Sequence, residues 1–118
     1  MKYIYLILIS FTLLSFNNVR SDEGIAMLKE DIVNGKKCLA SIKGNMYYES
    51  LQATLKSAVF NFNGIQKGGD RQYTYAITAS TRFFSDILAA GIDTPACNKG
   101  IKLCHFCWIK LQRNLSKE

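Results

Sequence analysis

Residues 68–97 read GGDRQYTYAITASTRFFSDILAAGIDTPAC, and this stretch contains the start and stop signals of one helix and the start of the next. Asp70 can cap a helix, and Gly91 can end it in the left-handed conformation that glycine tolerates. Between them, mainly apolar residues recur every three or four positions, which is the spacing of one helix face. These residues are Tyr73, Ile77, Ser80, Phe84, Ile87 and Leu88. Thr94-Pro95 then predicts a second helix, with the threonine as its cap and the proline in its first turn.

The same spacing occurs in the rest of the chain after residue 21, and no segment alternates as a strand would. The predicted helices lie near 23–43, 46–66, 71–90 and 95–115. Gly35 is the position at which the first helix could break. The other helix faces consist of Ile25, Leu28, Ile32, Leu39 and Ile42; of Tyr48, Leu51, Leu55, Ala58, Phe62 and Ile65; and of Cys97, Ile101, Cys104, Trp108, Leu111 and Leu115.

The predicted fold is a single all-α domain over residues 22–118, a small antiparallel four-helix bundle with disulfides. Short links make consecutive helices antiparallel neighbours, because the chain must turn back at once. Helices 2 and 3 carry few charges and have apolar residues beyond one stripe, which indicates deep burial. The second stripe of helix 3 consists of Ala76, Ala79, Phe83, Ile87 and Ala90.

The first 21 residues have the pattern of a secretory signal peptide. Lys2 precedes an apolar run from Tyr3 to Phe16, which is shorter than the roughly 20 residues of a membrane-spanning helix. Val19-x-Ser21 matches the small-residue pattern that signal peptidase recognises. We therefore expect cleavage after Ser21 and secretion to the extracellular space, and an uncleaved signal anchor is the competing interpretation.

The charge balance argues against a nucleic-acid partner. The chain has 15 basic and 9 acidic residues, a net charge of +6; without Lys2 and Arg20 there are 13 basic residues against the same 9 acids, or +4. This is too little for the dense basic surface that nucleic-acid binding requires. Most of the excess lies on the fourth predicted helix, so an anionic membrane surface is an alternative partner. Its basic residues are Lys99, Lys102, Lys110, Arg113 and Lys117.

All four cysteines, Cys38, Cys97, Cys104 and Cys107, follow the predicted signal peptide. An even number in a short secreted chain predicts two disulfides with three alternative pairings. A metal site formed by Cys97, Cys104, His105 and Cys107 is the other interpretation. It is disfavoured because secretion places thiols in an oxidising compartment and zinc ligands usually come as two separated pairs, so we expect no metal and no cofactor.

Helix geometry limits which of the four cysteines can form disulfides with each other. On an intact fourth helix, Cys97 and Cys104 lie roughly 10 Å apart by helix rise alone, beyond the limit of ~7 Å between bridged Cα atoms. Cys38, near the end of the first helix, lies beside the start of the fourth in an antiparallel bundle. The favoured solution is Cys38–Cys97 with Cys104–Cys107. The other is Cys38–Cys104, which leaves Cys97 and Cys107 unpaired or bound elsewhere.

The sequence contains no recognisable catalytic constellation, and we expect that the protein is not an enzyme. His105 is the only histidine, and a lone histidine between cysteines is more often a capping or partly buried residue than a base. We expect no polar cluster of the active-site type around it. Gly68-Gly69-Asp70 is interpreted as a turn and a cap, because it lacks the spacing of a phosphate-binding loop.

Three functions are consistent with these features. The leading hypothesis is a secreted protein that binds another extracellular protein, as effectors and signalling proteins do. The alternative is a carrier of a small apolar ligand in the bundle core. Its cavity is expected to be lined by Tyr48, Phe62, Tyr73, Phe84 and Trp108. A further alternative is disruption of anionic membranes by the basic fourth helix, and Asn114-Leu115-Ser116 is a sequon that permits N-glycosylation.

Overall fold

The computed structural model describes residues 22–107, and these form four α-helices and no strand. The helices are α1 (Asp22–Ala40), α2 (Tyr48–Gln66), α3 (Asp70–Ala89) and α4 (Pro95–Leu103). The predicted all-α class is confirmed. The predicted signal peptide, residues 1–21, and the C-terminal residues 108–118 lie outside the described residues.

Two of the predicted helix signals act as expected. The Thr94 side chain accepts a hydrogen bond from the Cys97 N–H at 3.1 Å and so caps α4. Gly91 has φ of +68°, and the Ile92 N–H just beyond it bonds back to the Ile87 carbonyl at 3.2 Å. This is a glycine-terminated C-cap, in which the residue after the glycine makes an apolar contact with the last turn of the helix. Both isoleucines are buried.

One local prediction, the cap of α3, is wrong, whereas the first helix is continuous as predicted. Asp70 is the first residue of α3, and Gly69 precedes it as the N-cap. Gly69 also donates its N–H to the Gly64 carbonyl at 3.1 Å, so the same residue closes α2 and opens α3. Gly35 does not break α1, which is continuous through it. The missing side chain leaves room for Leu55, whose Cδ1 atom would lie 3.0 Å from a Cβ at this position.

The fourth helix is much shorter than predicted. It ends at Leu103, and Cys104, its C-cap, is extended with φ −62° and ψ 122°. Residues 104–107 are therefore not helical. The physical reason is a competing acceptor, because the His105 N–H, which would continue the helix, bonds instead to the Asp31 carboxylate of α1. The predicted continuation over 108–115 lies outside the described residues.

One core of side chains joins the four helices. The most extensive contact is between α2 and α3, and α1 packs against each of the other three helices. The second apolar stripe of α3 is buried, with Ala76, Phe83 and Ile87 inaccessible to solvent. Gly100 lets α4 approach α3 closely, because a Cβ there would lie 2.8 Å from the Phe84 ring.

Two disulfides hold this arrangement, and all four cysteines are used. Cys38–Cys97 joins α1 to α4, with 4.3 Å between Cα atoms and 59 residues of separation. Cys104–Cys107 closes a four-residue loop after α4. This is the pairing favoured by the sequence. Among the described helices, none has both the length and the apolar composition of a membrane span.

Ser80 is a buried polar residue that is expected to destabilise the core. It is buried on α3, and within residues 22–107 its hydroxyl has no hydrogen-bond partner. We expect Ser80→Ala to raise the free energy of unfolding by about 1.5 kcal/mol, because it removes an unpaired buried hydroxyl and improves helix propensity. Urea denaturation followed by circular dichroism measures the change. The control Ser57→Ala, at an exposed position of α2, should gain no more than about 0.5 kcal/mol. Equal gains would mean that burial of the Ser80 hydroxyl has no cost.

Candidate functional site

The side chains predicted to line a ligand cavity lie in or against the core. Phe62, Tyr73 and Phe84 are buried members of the core cluster, and Tyr48 packs against it half-buried. Burial raises the pKa of the Tyr73 hydroxyl. Trp108, like the glycosylation sequon at Asn114, lies outside the described residues.

The loop Cys104–Cys107 is anchored on a buried carboxylate that the sequence analysis missed. Asp31, in the middle of α1, is 1% exposed. Its two oxygens accept the His105 N–H at 3.0 and 3.1 Å, and the Phe106 N–H also bonds to this carboxylate. The signal that could have found it is its position between Leu28 and Ile32 on the buried side of α1. Asp31 thus holds the end of the described chain against the first helix.

Burial is the main influence on the ionisation of Asp31 and raises the pKa of its carboxyl group. The Glu30 charge acts in the same direction, whereas the hydrogen bonds from His105 and Phe106 and the charge of His105 lower this pKa. The net pKa is above the ordinary value of 3.8. Loss of hydration therefore raises the pKa of Asp31 by more than the N–H donors lower it. Such donors lower a pKa because they stabilise the ionised carboxylate.

The side chains of the same loop contact α1 and α3. The His105 ring Nε2 lies 3.4 Å from a Glu30 carboxylate oxygen. The Phe106 ring stands edge-on to the Tyr73 ring, with centroids 6.4 Å apart. The sequence predicts no polar cluster of the active-site type at His105. The two carboxylates that lie beside this residue are those of Glu30 and Asp31.

The chemistry available to this cluster follows from its cysteines. Cys104 and Cys107 are bonded to each other and have no free thiolate to act as nucleophile or metal ligand. Within residues 22–107, no group of three or more His, Cys, Asp or Glu side chains is arranged to hold a metal ion. The arrangement anchors a loop.

An open groove of about 600 Å³ lies where the α1–α2 link meets the α3–α4 link. Its two sides are joined by a hydrogen bond between the Ser41 and Thr94 hydroxyls at 2.8 Å. The Cys38–Cys97 disulfide lies directly behind, since the Ser41 hydroxyl also donates to the Cys38 carbonyl at 2.6 Å. The groove is lined by Ser41, Ile42, Gly44, Asn45, Ala90, Gly91, Ile92, Asp93 and Thr94.

Two exposed side chains stand beside this groove, on a turn that was predicted to be helical. Met46 is 85% and Tyr47 45% exposed, and α2 begins only at Tyr48. Asn45 produces the turn, because its side-chain oxygen accepts the Tyr47 N–H at 2.8 Å and its carbonyl accepts the Tyr48 N–H at 3.0 Å. Asparagine commonly forms such turns. We call the groove together with Met46 and Tyr47 the loop-end surface.

Among the described residues that line the groove, Asp93 is the one with a charged side chain, and it accepts a hydrogen bond from the Asn98 side chain. The lining combines small and polar residues with two isoleucines, Ile42 and Ile92, that are themselves buried. No family model, no curated protein and no solved structure matches this chain.

Proposed function

We propose that this chain is a secreted, disulfide-linked helical protein that acts by binding another extracellular protein through its loop-end surface. In this proposal residues 1–21 are removed as a signal peptide, and the four helices pack antiparallel in a single domain. The site binds and does not catalyse.

Secretion is supported by cysteine usage. All four cysteines are paired within the chain, and such disulfides persist in oxidising compartments. The antiparallel arrangement is supported by the links 41–47, 67–69 and 90–94, which are too short for a crossover connection. It is also supported by the bridge from Cys38, near the end of α1, to Cys97, near the start of α4.

The observation that carries the binding proposal is the exposure of Met46 on a firmly held turn. Methionine and tyrosine are enriched at protein interfaces, where they bury large areas against a partner. Here the turn is fixed by Asn45 and flanked by the Ser41–Thr94 hydrogen bond. A surface that is ordered before binding loses little entropy on association, which increases affinity.

Capture experiments with matched variants test the proposal. The purified protein is immobilised, extracellular fluid from its source is passed over it, and the affinity of a retained protein is then measured by interferometry. Met46→Ser combined with Tyr47→Ser should weaken that affinity roughly thirtyfold, as expected when two interface anchors are lost.

The control is Phe60→Ser, which removes another exposed aromatic side chain, from α2 and away from the loop-end surface. It should retain the partner with unchanged affinity. Equal loss in both variants, or retention by the Met46/Tyr47 variant, would contradict the proposal. A bound lipid found by native mass spectrometry, with no protein retained, would favour a carrier instead.

A further inference from the structure

Helices α2 and α3 share an exposed pattern. In each, a basic residue is followed by an aromatic residue four positions later and by a second basic residue eleven positions after the first. The first triplet is Lys56 and Phe60 of α2 with Lys67, the C-cap residue directly after this helix. The α3 triplet is Arg71, Tyr75 and Arg82. Eleven residues are three helical turns, so each triplet forms one stripe about 16 Å long.

Both stripes face solvent. Phe60 is 77% and Tyr75 52% exposed, and all four basic residues are exposed. Within residues 22–107, none of the four basic side chains has a carboxylate within ion-pair distance. No acidic residue occurs in 57–66 or in 72–81, the segments between the two ends of each stripe.

The stripes belong to one layer of the molecule. α2 and α3 make the most extensive helix contact and are joined by the link 67–69. Phe60 lies half a helical turn from Ala58 and Phe62, which are buried in the core, so the α2 triplet points away from it. Each aromatic side chain thus stands exposed between two exposed cations.

We propose that this two-helix layer binds an anionic lipid surface, with Phe60 and Tyr75 entering the headgroup region while the four cations contact lipid phosphates. Basic residues beside exposed aromatic ones are typical of surfaces that lie on membranes. We favour a lipid surface over a protein partner because cations lie at both ends of each stripe with no acidic residue between them, and lipid phosphates impose no fixed spacing on such cations. The layer is distinct from the loop-end surface and does not depend on it.

Vesicle binding tests this directly. The protein, checked by mass spectrometry to lack residues 1–21, is sedimented with vesicles of phosphatidylcholine that contain either no phosphatidylserine or about one third of it. We expect binding to the anionic vesicles alone. Phe60→Ser should lower the partition coefficient about tenfold by removing the inserted ring. Arg71→Gln with Arg82→Gln should lower it roughly twenty-five-fold, since each cation near the surface contributes about fivefold.

The matched control is Lys29→Gln with Lys36→Gln, which also removes two positive charges, but from exposed positions of α1. Because all of these positions are exposed, the variants should keep the melting temperature of the native chain. The control should lose less than threefold in the partition coefficient. An equal loss would mean general charge attraction and would overturn the proposal. Absence of binding to anionic vesicles would do the same, as would a Phe60→Ser variant that loses a protein partner but keeps the vesicles.

Discussion

Cys38→Ser combined with Cys97→Ser is expected to lower the free energy of unfolding by about 4 kcal/mol, because the bridge restricts a long loop in the unfolded chain. The two cysteines are 59 residues apart and join the first helix to the last. In a domain of this size, a loss of that magnitude lowers the melting temperature by roughly 20 °C. Thermal unfolding followed by circular dichroism at the helix band measures it. Both cysteines are replaced so that no buried free thiol complicates the result.

The second disulfide provides the comparison. Cys104 and Cys107 are only three positions apart. The dependence of loop entropy on loop length therefore predicts that Cys104→Ser with Cys107→Ser lowers the free energy of unfolding by about 2 kcal/mol. A Cys38/Cys97 variant that melts within a few degrees of the native chain would show that the link between α1 and α4 is not a main source of stability.

Asp31→Ala is the second substitution with a large expected effect, a loss of about 3 kcal/mol. It leaves the N–H groups of His105 and Phe106 without their acceptor and creates a void where the buried carboxylate lies. Asp31→Asn keeps an acceptor oxygen of similar shape and should cost much less. Urea denaturation of the two variants at neutral pH measures the difference. Equal losses would indicate that the negative charge, and not the acceptor, is what the loop requires.

The raised pKa of the Asp31 carboxyl group predicts how the stability difference between the native chain and the Asp31→Asn variant depends on pH. The folded protein holds the Asp31 proton more tightly than the unfolded chain does. Asp31 protonation therefore stabilises the fold fully below the unfolded pKa of about 3.9, and this contribution is lost as the pH rises through the higher folded pKa. The stability of the native chain relative to Asp31→Asn should thus decline from pH 4 toward neutrality. A constant difference across that range would contradict the burial effect.

Most helix positions follow from local patterns. Leu51, Leu55 and Ala58, which predicted the face of α2, are buried as expected. Thr94 and Gly91 act as predicted because capping is completed within a few residues of chain. The link at Gly68-Gly69-Asp70 was less predictable. There Gly69 bonds to the end of α2 and is also the N-cap of α3. The capping preference of an individual residue type does not show which of two adjacent helices the residue will cap.

The contacts of the candidate surfaces depend on residues that are far apart in sequence. Asp31 and His105 are separated by 74 positions, and nothing near either residue predicts that α4 ends where the distant carboxylate competes for its N–H groups. Likewise, Met46 and Tyr47 fall within the helix predicted over 46–66, yet the Asn45 side chain holds the Tyr47 N–H in a turn beside a second loop. Local spacing determines which faces are apolar, because helix periodicity is a property of neighbouring residues. The groove and the buried carboxylate arise only when separate helices pack, because only then do their polar groups compete for the same partners.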